Sequence, residues 1–300
     1  APVEDIRNTL TPQLQFPEGE ETELLLLDLG NDRNRLGGSV LAQVYNSVGE
    51  HAPDVDPAQL ATFFKVVQRL RREGLILAYH DRSDGGLFAT VCEMAFASKC
   101  GLSLVLDTVC YDVFMNDVDG LEKKPDTLKG RFDDRLVGGL FAEELGAVVQ
   151  IRRADRAKIT EILRGEKLTY HFIGEPNDKD EIRFWRSAKL VLSATRTELL
   201  QAWAETSHRI ALLRDDAESV QQEFDGLADA ADPGLSVKLS FDVTEDVAAP
   251  FIATGSRPKV AVLREQGVNS QFEMAAAFER AGFEPVDVHM SDLQSGRRKL

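Results

Sequence analysis

Three hundred residues, 43% hydrophobic and 28% charged, leave room for two domains and a buried core and exclude a disordered or collagen-like chain. A formal net charge of −15 excludes tight binding to a nucleic-acid backbone, where counterion displacement needs a positive surface; an anionic small molecule would need a helix N-terminus or a bridging metal ion. The three cysteines, Cys92, Cys100 and Cys110, have no CxxC spacing, which fits a reducing, cytoplasmic setting, and no apolar run approaches membrane-spanning length.

The first strong signal along the chain is "ELLLLDLG" (23–30), a continuous apolar run closed by glycine that predicts a buried strand. "NDRNRLGGSVLAQVYNSVG" places its turn residues first and apolar residues at helical spacing after them. "DPAQLATFFKVVQRLRREG" (56–74) predicts a helix with Asp56 as N-cap, Pro57 at its first position and Gly74 past its end. "LILAYHD" then reads as a strand and "GGLFATVCEMAFASKCG" as a helix packed through Leu87, Val91, Met94 and Ala95.

"GLSLVLD" alternates like a strand, whereas residues 110–134 lack one period and predict an irregular surface excursion. "DRLVGGLFAEELG", "AVVQIRR" and "ADRAKITEILRGE" give helix, strand and helix, and the strand-like pieces "YHFIGEP" and "EIRFWRSAKLVLSA" close the unit near residue 194. Strands and helices in this alternation define a mixed α/β or α+β layer domain. A long helical pattern covers 196–215, followed by an acidic, turn-rich stretch that marks a linker. "KVAVLREQGVNSQFEMAAAFERAGFEPVDVHMS" is then a strand, loop, helix, strand unit that begins a second α/β domain. The chain opens without an initiator methionine or a signal-like leader and stops soon after this unit, so a fragment of a larger protein is expected.

Three glycine-bearing junctions are the candidate sites. In "AYHDRSDGGL" (78–87), a strand ending in Asp81 offers a hard carboxylate oxygen of the kind magnesium prefers, and Ser83 offers a hydroxyl to a phosphate oxygen. Gly85 and Gly86 would let a phosphate approach the helix N-terminus; the alternative is a turn in which Ser83 or Asp84 caps those same N–H groups. "LGGSVLA" (36–42) is either a second anion cradle or a tight loop. In "LREQGVNSQFEMA" (263–275), Gly267, Asn269 and Ser270 line a ligand crevice, or Ser270 is an N-cap; no GxGxxG is present.

The histidines His51, His80, His171, His208 and His289 show no ligand spacing, and a structural hydrogen bond is expected of His80. No GxSxG elbow is present. The acidic pairs Asp133, Asp134 and Glu143, Glu144 are expected to be solvated helix ends, or Asp134 or Glu143 faces a cleft.

Taken in order, "DLGNDRNRLGGSVLAQVY", "AYHDRSDGGLFATVCEMAFASKCG", "GGLFAEELGAVVQI", "ADPGLSVKLSFDVTEDVAAPFIATGSRPKVAVLREQGVN" and "EMAAAFERAGFEPVDVHMSDL" resemble phosphoribosylformylglycinamidine synthase in its large single-chain form. The resemblance runs through essentially the whole chain and is weakest over 110–132, which look like an insertion. It implies that 1–194 are the C-terminal lobe of the second synthetase repeat, built like aminoimidazole-ribotide synthetase. It further implies that 195–257 are a helical and acidic linker and 258–300 the start of a flavodoxin-like class I glutamine amidotransferase domain.

Members of that family use ATP to activate the amide oxygen of formylglycinamide ribotide, which ammonia from glutamine then displaces. The resemblance implies that Asp81 is a magnesium ligand and Ser83 a contact to ATP or ADP, plausibly the ADP of an auxiliary site. It also implies that the remaining ligands and the amidotransferase triad lie in missing segments of the same polypeptide, so that this chain alone is inactive. Two rivals stand beside it: a non-catalytic nucleotide-binding or scaffolding module, and a related synthetase of the aminoimidazole-ribotide synthetase superfamily.

Overall fold

The computed structural model describes residues 9–111, 125–229, 231–232, 234–235 and 237–299, with the side chains of 125–132 and 251 left aside. It divides into two units, 1–232 and 233–300.

The first unit is built on a seven-stranded sheet in the order β2-β4-β1-β5-β3-β6-β7. The strands are β1 (Thr22–Asp28), β2 (Ala78–Asp81), β3 (Gly101–Val105), β4 (Gly146–Arg152), β5 (Thr169–Asn177), β6 (Ile182–Arg186) and β7 (Lys189–Ala194). All neighbours pair antiparallel except β3 and β6. The leucine run of β1 is explained by its place near the middle. Leu24 and Leu26 point into one core with α3 (Gly86–Ser98) and the end of α4 (Pro125–Phe141). Leu25 and Leu27 point into a second core with α2 (Pro57–Arg72) and α5 (Arg156–Gly165). A strand covered on both faces reads as an unbroken apolar run, not an alternating one. The mixed α/β layer expected from the sequence is the architecture observed.

Local chemistry sets the helix starts. Asp56 caps α2 by accepting from Ala58 N, with Pro57 at the first helical position. Ser39 caps the short α1 (Val40–Val44) through Ala42 N. Leu87, Val91, Met94 and Ala95 of α3 are all buried, on the face the periodicity assigned to the core. Thr195 and Glu198 form a capping box at the start of α6 (Arg196–Arg214).

Four elements differ from expectation. α1 spans only five residues of the helical pattern. α4 begins at Pro125, inside the stretch read as irregular, while 112–124, most of the supposed insertion, lie outside the described residues. The segment read as one strand over 181–194 is a hairpin, β6 and β7, turning at Ser187 and Ala188. Part of the turn-rich linker is a helix, α7 (Ala217–Gly226), capped by Asp216 on Ser219 N.

The second unit contains α8 (Ala249–Ala253), the parallel pair β8 (Lys259–Arg264) and β9 (Glu284–His289) joined by α9 (Gln271–Arg280), and α10 (Met290–Gln294). This is the strand, helix, strand unit the sequence predicts.

Candidate functional site

β2 ends at Asp81, and the period of two sends successive side chains to opposite faces. His80 turns toward α3, where its Nε2 lies 2.9 Å from Glu93 Oε2, the structural hydrogen bond expected of it. Tyr79 and Asp81 turn the other way and line a cleft of about 400 Å3 with Leu29, Leu60, Phe63, Ser83, Asp84 and Glu143. Burial pushes the Tyr79 phenol up, and the Asp81 carboxylate adds to that shift. Asp81, Ser83 and Asp84 are exposed. Apolar and aromatic side chains and hard oxygen donors therefore line the same cleft.

Between Asp81 and Ser83 the chain sends Arg82 inward, where it is 2% exposed. Its backbone N–H donates to Gly146 O at 2.9 Å, its Nε to Glu144 O at 2.6 Å and its Nη2 to Leu145 O at 3.1 Å and to the Asp28 carboxylate. Asp28 in turn accepts from Gly30 N at 3.0 Å and Asp32 N at 2.8 Å, folding the loop that follows β1. Gly85 and Gly86 both have positive φ, +80° and +65°. A Cβ on Gly86 would lie 2.8 Å from the carbonyl oxygens of Leu140 and Ala142, so only glycine lets α3 press onto the end of α4.

The segment 142–146 is the hub of this arrangement, and sequence reasoning missed it. Glu144, expected to be a solvated helix end, is completely buried and pairs bidentately with Arg35, at 2.7 Å to Nε and 2.8 Å to Nη2. It also accepts from Arg35 N at 3.0 Å. Glu143, just past the end of α4, faces the cleft, which was one of the alternatives; Asp133 and Asp134 are exposed on α4. The available signal was the setting of the two acids, between an apolar helix end and a fully buried strand.

The two glycine pairs are not open anion cradles. Gly85 N donates to Glu143 Oε1 at 2.9 Å and Gly86 N to Ser83 O at 2.9 Å. In the "LGGS" turn, Gly37 N goes to His51 O, Gly38 N to Val48 O and Val40 N to Glu143 Oε1. The physical reason is competition the spacing hides: backbone carbonyls of Ser83, His51 and Val48 take three of these N–H groups, and the Glu143 carboxylate, supplied from far along the chain, takes the other two. Capping by Ser83 or Asp84 is corrected as well, since the N-cap residue of α3 is Gly85 with no side-chain cap. The offer from this turn consists of the Asp81 and Asp84 carboxylates and the Ser83 hydroxyl.

Other sequence candidates fall outside the cleft. All three cysteines are buried and unpaired; burial pushes the Cys92 thiol up to about 12 and those of Cys100 and Cys110 up to about 11, so none is poised as a nucleophile. In the second unit Gly267 has φ +87°, and Ser270 takes the N-cap position of α9 without a capping bond. Asp28, Asp32 and His171 bring donor atoms within 4.8 Å of one another, a group with no spacing signature in the sequence. There Arg82 already supplies a cation to Asp28, and His171 lies 2.7 Å from Asp32.

The fold and cleft define a layered α/β lobe that presents carboxylate and hydroxyl oxygens at a strand-to-helix junction. Residues 20–186, more than half of the chain, match the model of the AIR synthase related protein, C-terminal domain, and the chain belongs to that family. Residues 257–300 match the CobB/CobQ-like glutamine amidotransferase domain. Among solved structures, Thermotoga maritima PurL complexed with FGAR is 15% identical with a TM-score of 0.48, over 65% of this chain and 30% of that one. The same organism's PurL complexed with ATP is 16% identical with a TM-score of 0.44, over 65% and 27%. Escherichia coli HypE, a hydrogenase maturation protein, is 20% identical with a TM-score of 0.39, over 62% and 52%. The chain thus spans under a third of the length of the PurL chains it matches. Among the described residues, no helix is long and apolar enough to cross a membrane.

Proposed function

We propose that these residues are part of an ATP- and glutamine-dependent ligase of purine biosynthesis, which converts formylglycinamide ribotide to formylglycinamidine ribotide. The observation that carries this reading is the presence, in one chain, of an AIR synthase related C-terminal domain and a glutamine amidotransferase segment. A synthetase acting alone has no use for the second, and a scaffolding module has no use for ammonia. In the proposed reaction ATP phosphorylates the amide oxygen of the substrate, ammonia released from glutamine attacks the amide carbon, and phosphate leaves. The rest of the machinery belongs to a longer polypeptide, acting in the cytoplasm with no nucleic-acid or membrane partner. The domain limits we assign are 1–194, 195–257 and 258–300.

Within this ligase the cleft is assigned to a magnesium-bound nucleotide, ATP or ADP. The donor set fits the ion: Asp81 is an exposed carboxylate at a strand end, with Ser83 beside it in the same cleft. Magnesium, when bound, neutralises phosphate charge. Asp81 would hold the ion, Ser83 would donate to a phosphate oxygen, and Phe63, Leu60 and Tyr79 would help exclude water. Since the glycine N–H groups are already taken, phosphate recognition rests on side chains. An auxiliary ADP, bound and not turned over, is the assignment we favour.

Titration calorimetry of the complete polypeptide with Mg-ADP tests the site. Asp81→Ala is expected to weaken binding by roughly tenfold or more, and Ser83→Ala by about two- to tenfold, the worth of one neutral hydrogen bond. Unchanged affinity in Asp81→Ala sinks the assignment of the cleft. Failure of the complete polypeptide to make formylglycinamidine ribotide from glutamine and ATP sinks the reaction.

A further inference from the structure

Glu143 joins two turns that are distant in sequence. Its Oε1 accepts at 2.9 Å from Gly85 N, at the entry to α3, and at 2.9 Å from Val40 N, the first residue of α1. The Gly85 turn carries Ser83 and Asp84 and follows directly on Asp81. The Val40 turn is itself stapled by Gly37 N to His51 O and Gly38 N to Val48 O. A single carboxylate oxygen, with its two lone pairs, can accept from both N–H donors at once.

The neighbours of Glu143 are fixed independently. Ala142 O and Leu140 O wall in Gly86, and Glu144 is locked to Arg35. The carboxylate is therefore held from a rigid base and lies in the cleft wall beside Asp81 and Ser83. Without it, Gly85, a glycine with a left-handed backbone and no side-chain cap, would have one fewer restraint.

We propose that Glu143 is a positioning residue: its carboxylate oxygen clamps the 36–40 and 83–86 turns in one geometry, so that Asp81 and Ser83 present a fixed pair of oxygens to the ligand. This rests on the reading of the cleft as a Mg-nucleotide site. Preorganisation of this kind appears as ligand affinity, because a loose turn must be ordered during binding.

Three variants of the complete polypeptide, titrated with Mg-ADP, decide it. Glu143→Ala removes the acceptor and is expected to weaken binding about tenfold or more. Glu143→Gln keeps an oxygen that can accept both bonds and is expected to stay within about threefold. Val40→Pro deletes one donor without touching Glu143; proline suits a first helical position, and Ser39 already has the extended backbone (φ −64°, ψ 159°) that precedes proline. It is expected to lose part of what Glu143→Ala loses. If Glu143→Ala fails to fold, Val40→Pro decides: full affinity there overturns the proposal.

Full affinity in both Glu143→Ala and Val40→Pro, with binding lost in Asp81→Ala, overturns the proposal and leaves the site standing. A loss in Glu143→Gln as deep as in Glu143→Ala also overturns it, because charge rather than acceptor geometry would then be at work. Full affinity in Asp81→Ala removes the site and the proposal together.

Discussion

Two buried charges, Arg82 just past β2 and Glu23 on β1, show how partners decide what a charge does. Arg82 is among the largest fully buried side chains; its Nε, Nη2 and backbone N–H have acceptors and its charge is matched by Asp28, while its Nη1 is buried without a hydrogen-bond partner. Glu23 likewise leaves one buried atom without a partner, and its charge is less well matched. It is 4% exposed, Arg156 Nη1 reaches its Oε2 at 3.0 Å, and its Oε1 is buried without a hydrogen-bond partner. Burial pushes the Glu23 carboxyl up, against the pull of Arg156 and Arg153 and with a smaller push from Glu175. The folded chain therefore holds this proton more tightly than the unfolded chain. Between the ordinary glutamate range and the raised value the native state binds more protons, so this group's contribution to stability falls as pH rises through that window. Glu23→Gln is expected to be at least as stable as the parent near pH 7 and to lose that advantage near pH 4, as measured by urea unfolding at both. A variant less stable than the parent near pH 7, with the deficit closing near pH 4, would show that the Arg156 pairing outweighs burial.

At the level of elements, the hairpin of β6 and β7 shows why part of the fold was hidden. A two-residue connection with φ > 0 at both positions normally reads as Asn-Gly or Asp-Gly. Here it is Ser187 (φ 50°) and Ala188 (φ 57°), residues that carry no turn signal, so 181–194 read as one strand. Ser187 N donating to Asp107 Oδ1 at 2.6 Å helps hold the bend. Replacing the pair by Asn-Gly should relieve backbone strain and stabilise the unit by about 1 kcal/mol, seen as a higher urea midpoint at unchanged m-value. An unchanged midpoint would mean that the strain is already offset by the Asp107 bond. The elements that were legible, β1, α2, α3 and the β8-α9-β9 unit, each had a clear apolar pattern and an ordinary terminator. α7 was obscured by acidic composition and the start of α4 by polar residues, since their patterns carry little apolar contrast. The site divided in the same way. The turn with Asp81 and Ser83 stood out as a candidate because its polar residues sit together before a glycine pair, whereas Glu143 and Glu144 look identical in sequence. Only distant partners, Gly85 and Val40 for one and Arg35 for the other, give them opposite environments.

Across the whole molecule, the distribution of buried apolar groups sets where stability resides. Both hydrophobic clusters, and all seven strands of the larger sheet, belong to residues 1–232. In residues 233–300 the described buried apolar residues are Val262 and Val288, on a sheet of two parallel strands. Two strands with one ten-residue helix and two five-residue ones bury little apolar surface, and independent stability ordinarily takes three or more strands or extensive helix cover. Local opening should follow the same division, because exchange protection tracks buried contacts and shielded backbone bonds. Hydrogen-exchange mass spectrometry of the chain at neutral pH is expected to show β1, β4 and β5 exchanging most slowly, by global unfolding. Peptides covering β8 and β9 should exchange orders of magnitude faster, and the α6–α7 segment should lie between, since α6 caps well but buries little of its surface. Protection of β8 and β9 equal to that of β1 would mean that the second unit draws its stability from more than its own two strands and helices.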